Sequence, residues 1–95
     1  MNTPDKQILL LMDVLKQLKL IRFDKDFCDA IGLLKQNLVK IRKGTHHFTP
    51  DHMEKVIKLY KVNANWIFGV SEKMFLDKTM LTPPTVKELK ETGRH

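Results

Sequence analysis

Apolar residues recur three and four positions apart along most of this chain and nowhere hold a period of two, so it reads as helices without strands. Ile8, Leu11, Met12, Leu15 and Leu18 follow Thr3-Pro4-Asp5, which has the form of an N-cap, a proline at the first helical position and an acid on the positive end of the dipole. The same three letters return at Thr49-Pro50-Asp51, ahead of an inner face of Met53, Val56, Ile57 and Tyr60. Between them, Asp24 is expected to cap a helix over 25–31 that stops at Gly32, and a further helix runs over 35–43 to Gly44. Asn63 is expected to cap a short turn through Trp66 and Phe68, ending near Gly69. The pattern therefore predicts an all-α, compact bundle of about five helices. Residues 1–76 form the domain, and 77–95 are expected to be a tail or linker. There Thr82-Pro83-Pro84 is a break, and Thr85 with Glu88 makes a capping-box pair ahead of a very short helix.

Composition narrows the class. At 42% hydrophobic and 29% charged, the chain reads as globular rather than disordered or fibrous. The longest strictly apolar run, Ile8 to Met12, is far too short to span a bilayer, and no signal-peptide pattern is visible. The single cysteine, Cys28, allows no internal disulfide, so a reducing, cytoplasmic setting is expected. Charge says more. Seventeen Lys and Arg against eleven Asp and Glu leave +6, with a pI near 9.6, which points to an anionic partner. The positive charge is also focused: from Lys35 to His47 stand Lys35, Lys40, Arg42 and Lys43 with no acid, ending in His46 and His47.

The stretch from Phe27 to Gly44 carries the functional signal. Its two helices meet at Gly32-Leu33-Leu34, a link only long enough for a tight turn. Phe27, Ile31, Leu33, Leu38 and Ile41 supply one shared apolar seam. At about 100° per residue, Leu34, Leu38 and Ile41 fall on the inner side of the second helix. Gln36, Val39, Lys40 and Lys43 fall opposite, flanked by Lys35 and Arg42 on one side and Asn37 on the other. Such a stripe suits a DNA major groove, where amides pair with adenine, lysine with guanine and a valine methyl with thymine.

These residues resemble the phage-repressor/Cro-type (Xre-like, lambda-repressor-like) helix-turn-helix domains. Phe27-Cys28, Gly32-Leu33, Leu38, Ile41 and Gly44 occupy the places of that pattern, with Cys28 where alanine is usual. Val62-Asn63-Ala64-Asn65-Trp66-Ile67, followed by Lys73-Met74-Phe75, is similar to the ending of a phage CI-repressor-like subgroup. The chain departs from the pattern at Leu34, where Ser or Thr usually caps the second helix, and at Val39 and Arg42, where many members carry Ser and Glu. It departs again at Phe68-Gly69-Val70-Ser71. The resemblance implies a phage-type transcriptional repressor that binds double-stranded DNA without a cofactor. Lys35, Gln36 and Lys40 would face base edges, with Asn37 and Val39 as secondary readers. Arg42, Lys43, Thr45, His46 and His47 would lie near the phosphate backbone.

Other chemistries are less well served. His46, His47, His52 and Cys28 fit no standard zinc spacing, and no metal is expected. No Gly-rich phosphate loop, no paired carboxylates at a helical spacing among apolar residues and no supported Ser/His/Asp set is present, so an enzyme is not expected. Cys28, Trp66 and Phe48 are read as packing residues. Leu9, Leu10, Val14, Leu20 and Ile21 make the first helix more apolar than one buried face requires. They imply either burial on two sides or a partner surface, such as a homodimer contact. A protein-interaction module, antitoxin-like or adaptor, is the alternative function, and RNA binding is a third reading with few exposed aromatics to support it.

Overall fold

The structure is a computed structural model and describes residues 2–76. The expected tail, 77–95, with its Thr85/Glu88 box, lies outside those residues. Five helices follow one another: α1 (Thr3–Gln17), α2 (Asp24–Ile31), α3 (Lys35–Arg42), α4 (Pro50–Tyr60) and α5 (Ala64–Ile67). No strand occurs among the described residues, only a single antiparallel bridge between Val62 and Phe75. None of these helices is long and apolar enough to cross a membrane.

Each helix start has a local chemical cause, and two differ from expectation. Asn2, not Thr3, caps α1, its side chain accepting from Asp5 N–H at 3.0 Å. Thr3 is the first helical residue and Pro4 the second, so the proline still falls where it has no intrahelical bond to lose. In α2 the cap position is Phe23, and Asp24 is already helical. Asp26 provides the cap, its Oδ2 accepting from the amides of Phe23 at 2.8 Å and Arg22 at 2.9 Å. Those two bonds, Phe23 foremost, hold the Asp26 carboxyl below the ordinary carboxylate range. Thr49 and Asn63 cap α4 and α5 as expected.

The helix ends are equally local. Gly32 takes φ +72 at the end of α2, and Leu33 N–H turns back to the carbonyl of Cys28 at 2.9 Å. A Cβ on Gly32 would meet only the mobile end of the Lys55 side chain, at 3.1 Å, so it is the torsion rather than space that asks for glycine here. α1 ends the same way without a glycine. Lys19 adopts φ +61, and Leu20 N–H bonds to Leu15 C=O at 2.9 Å.

One core joins all five helices. Ile8, Leu11, Met12 and Leu15 of α1 are fully buried against Phe27 and Ile31 of α2, Ile41 of α3, Val56 of α4 and Ile67 of α5. Phe27 stacks on Tyr60 with ring centroids 5.8 Å apart. Gln7 of α1 donates to the Trp66 carbonyl at 3.0 Å and ties α1 to α5. The apolar excess expected of the first helix is absorbed in part: Ile21, beyond the end of α1, is buried and Leu9 and Val14 pack half-buried on the core, whereas Leu10 and Leu20 stay 48% and 45% exposed. The outward stripe of α1 is Thr3, Lys6, Leu10, Asp13 and Gln17, polar except for Leu10.

Residues 73–76 close the domain. Asn63 N–H donates to Met74 C=O at 2.8 Å, Leu76 N–H donates to Lys61 C=O at 2.9 Å, and Phe75 enters the core. Phe75→Ala is expected to cost about 3–5 kcal/mol of stability, read from urea unfolding, if this segment is structural rather than linker.

The cap of α4 carries a second expectation. Thr49 Oγ1 accepts from His52 N–H at 3.2 Å, and His52 Nδ1 accepts from Thr49 N–H at 3.1 Å. The histidine therefore stands where a capping box ordinarily has Glu or Gln. It must be neutral at Nδ1 to accept, and burial, with Lys55 nearby, pushes its pKa below 6.5. As pH falls below 6.5, the unfolded chain takes up a proton that the folded one refuses, so stability is lost on acidification. His52→Gln keeps the acceptor without the titration. Thermal melts from pH 7.5 to 5.5 should show the wild type losing stability relative to this variant.

Candidate nucleic-acid interface

α3 is a short helix with a thin buried edge. Leu38 and Ile41 are 2% and 1% exposed, and they fix the helix on the core beside Leu33 and Phe27. Everything else on it faces outward or to the side. Lys35, Gln36, Val39, Lys40, Arg42 and Lys43 are exposed, and Asn37 is half-buried. The expected outward stripe of Gln36, Val39, Lys40 and Lys43 is thus where the 100° spacing put it.

Leu34 is the exception to the inner stripe. It is 60% exposed, because it occupies the N-cap of α3 with extended torsions of φ −72 and ψ 140, where helical spacing no longer applies. It makes no side-chain cap, so the α3 amides beside it lack the hydroxyl partner that Ser or Thr would bring. Leu34 therefore adds an apolar side chain at the start of the basic stripe, and nothing in the spacing signalled that.

Charges on α3 divide into two groups. Among the described residues, Lys35, Lys40 and Lys43 enter no ion pair. Arg42 does. Its Nη2 donates to Asp24 Oδ2 at 3.1 Å, and Lys16 Nζ approaches the other oxygen of Asp24 at 2.5 Å. Lys16, and then Arg42, hold the Asp24 carboxyl below its ordinary range against the opposing effect of burial. The residue expected to cap α2 instead bridges α1 and α3.

The loop after α3 is anchored from below. Asp5 of α1 is fully buried, accepting from Phe48 N–H at 3.0 Å and from His47 Nδ1 at 2.6 Å, which requires the hydrogen on that nitrogen. Phe48 is 3% exposed, the apolar anchor expected of it, with its ring edge-on to His52 at 6.3 Å. Both His46 and His47 are exposed, but His47 is fastened to α1 and His46 is not. Thr45 Oγ1 donates to Lys40 C=O at 3.1 Å and closes the end of α3. In the sequence Asp5 stands out only as a helix-start acid. No spacing rule links it to a loop more than forty residues away.

The remaining candidates are accounted for by packing. Cys28 is buried at 1% exposure, and burial, with Asp24 and Asp29 nearby, pushes its thiol up, away from the nucleophilic thiolate. Trp66 is 5% exposed and lies in the core. Among the described residues, no group of three or more His, Cys, Asp or Glu side chains could hold a metal ion.

Comparison with family models, with curated proteins and with solved structures finds no match for this chain.

Asp5→Ala would leave the buried Phe48 amide without a partner. It is expected to cost about 1–3 kcal/mol. It should also raise hydrogen exchange at Phe48 selectively, with the α3 amides of Leu38 and Ile41 exchanging as before relative to global stability.

Proposed function

We propose that the protein binds double-stranded DNA in a sequence-dependent way and acts as a transcriptional repressor of the phage type. In this reading α2, the Gly32-Leu33-Leu34 turn and α3 form a helix-turn-helix, and α3 lies in the major groove. One observation carries it: an acid-free stripe of Lys35, Gln36, Val39, Lys40 and Lys43 stands exposed on a helix whose opposite edge is locked by Leu38 and Ile41. An α-helix fits the major groove, and those side chains can donate to purine edges or meet a thymine methyl.

Roles follow from position. Lys35, Gln36 and Lys40 read base edges, with Asn37 and Val39 beside them. Lys43, Thr45 and His46 sit at the C-terminal end of α3 and meet phosphates, where cations and amides orient a protein without reading sequence. His47 supports the loop through Asp5, and Arg42 is shared with Asp24. Repression then needs no chemistry, only occupancy of a promoter.

Selection of bound duplexes from a random pool at two salt concentrations tests the reading and shows whether the site is palindromic, as a dimer on two half-sites requires. On the selected site, Lys43→Ala should weaken binding for all sequences and flatten the log–log salt slope by about one unit. Gln36→Ala and Lys40→Ala should instead cost ~1–3 kcal/mol of discrimination at particular base pairs. Equal, sequence-blind losses for all three would reduce α3 to an electrostatic contact and overturn the readout.

A further inference from the structure

Two adjoining grooves run along the turn between α1 and α2. Lys16, Lys19, Arg22 and Asp26 line the first, and the second shares Lys16 and Arg22 while adding Asp24, Lys25 and Lys35. Arg42 of α3 lines neither groove but bonds to Asp24 at the edge of the second. Asp26 is turned to the amides of Arg22 and Phe23. Asp24 is therefore the one acid facing Lys16 and Arg42 directly, with Arg22, Lys25 and Lys35 lining the same groove. The two grooves together set Lys16, Lys19, Arg22, Lys25 and Lys35 against the carboxylates of Asp24 and Asp26, an excess of positive charge in which Asp24 alone bridges two cations, as an anion supplied by the chain itself.

We infer that the Asp24 carboxylate is a built-in stand-in for a DNA backbone phosphate. It keeps Lys16 and Arg42 positioned and offsets one of their two charges in the free protein, and yields Arg42 first when a phosphate enters the basin. A phosphodiester carries one negative charge, as a carboxylate does, and offers oxygens that a guanidinium can grip in the same way. The Arg42 pair can exchange, because the Arg42 and Asp24 side chains are 43% and 30% exposed and pairs open to water are weakly held, whereas the Asp24 oxygen that Lys16 meets is itself buried. Lys35 belongs both to the basin and to the first turn of α3, so a backbone seated there is continuous with one flanking the groove that α3 occupies. Asp24 then acts as a brake. Every duplex must displace it, which lowers affinity for DNA at large and leaves base contacts on α3 to decide where the protein stays. The inference rests on the DNA-binding reading and adds a second contact surface and its regulation.

Asp24→Asn tests it, since the amide keeps the shape and an oxygen for Arg42 while removing the charge. Binding to a random-sequence duplex should tighten about five- to tenfold near 0.1 M salt, with the log–log salt slope steeper by about one to two units as the freed cations engage phosphates. Unchanged or weaker binding at an unchanged slope would overturn the inference. A second measurement needs no variant. In the wild type, the Asp24 carboxyl carbon resonance should move as duplex is titrated to saturation of the α3 amide shifts. If that resonance stays fixed through saturation, Asp24 has not let go, and the inference fails. A wild type that binds no duplex would remove the DNA-binding reading, and this inference with it. A wild type that binds, with Asp24→Asn indistinguishable from it, removes the inference alone.

Discussion

Burial of Leu38 and Ile41 beneath α3 is the constraint on which the rest depends. Eight residues make too short a helix to persist alone in water, and this one lacks a side-chain N-cap. Two buried side chains at about 2 kcal/mol each are the scale of what offsets those deficits. Because only those two positions are inside, the other side chains of α3, apart from half-buried Asn37 and the Asp24-paired Arg42, are available to something else. A helix held by a narrow edge presents the widest possible outer face. That is the physical reason a small domain can offer a long basic stripe without losing its core.

α1 does more than fill the centre. Its inner residues lie in the one core cluster and pack most closely on α5, and its polar side chains set the position of both ends of the candidate interface. Asp5 fixes the loop after α3 through Phe48 and His47. Lys16, near the other end of the same helix, meets Asp24, which in turn holds Arg42. The basic surface is thus tethered to one rigid element at two places, by a buried carboxylate at one and a part-exposed ion network at the other. Their energetics differ. The buried one leaves an unpaired amide when broken, whereas the part-exposed one is screened and, at Arg42, exchangeable.

Charge on α3 is therefore not uniform in effect. Lys35, Lys40 and Lys43 project unpaired by any acid among the described residues, while Arg42 has an internal partner on α2. Net charge by itself would have counted all four alike. The distinction matters because a partnered cation must be released before it can meet an anion, and that release couples the α1–α2 turn to whatever α3 touches.

Much of this was legible in the linear pattern. The spacing of Ile8, Leu11, Met12 and Leu15, of Leu38 and Ile41, and the Thr49 and Asn63 caps placed the helices, since helix periodicity and capping are local and need only neighbours within four residues. The outward face of α3 came from the same periodicity. Leu34, the true caps at Asn2 and Asp26, and the partners of Asp5, Asp24, Arg42 and His47 did not. Each depends on where a segment stops being helical or on which residues many positions apart meet in space. A sequence determines local geometry because torsions and hydrogen bonds act over one turn. Which charges are neutralised, and which are left free to work, was decided only when α1, α2 and α3 were packed together.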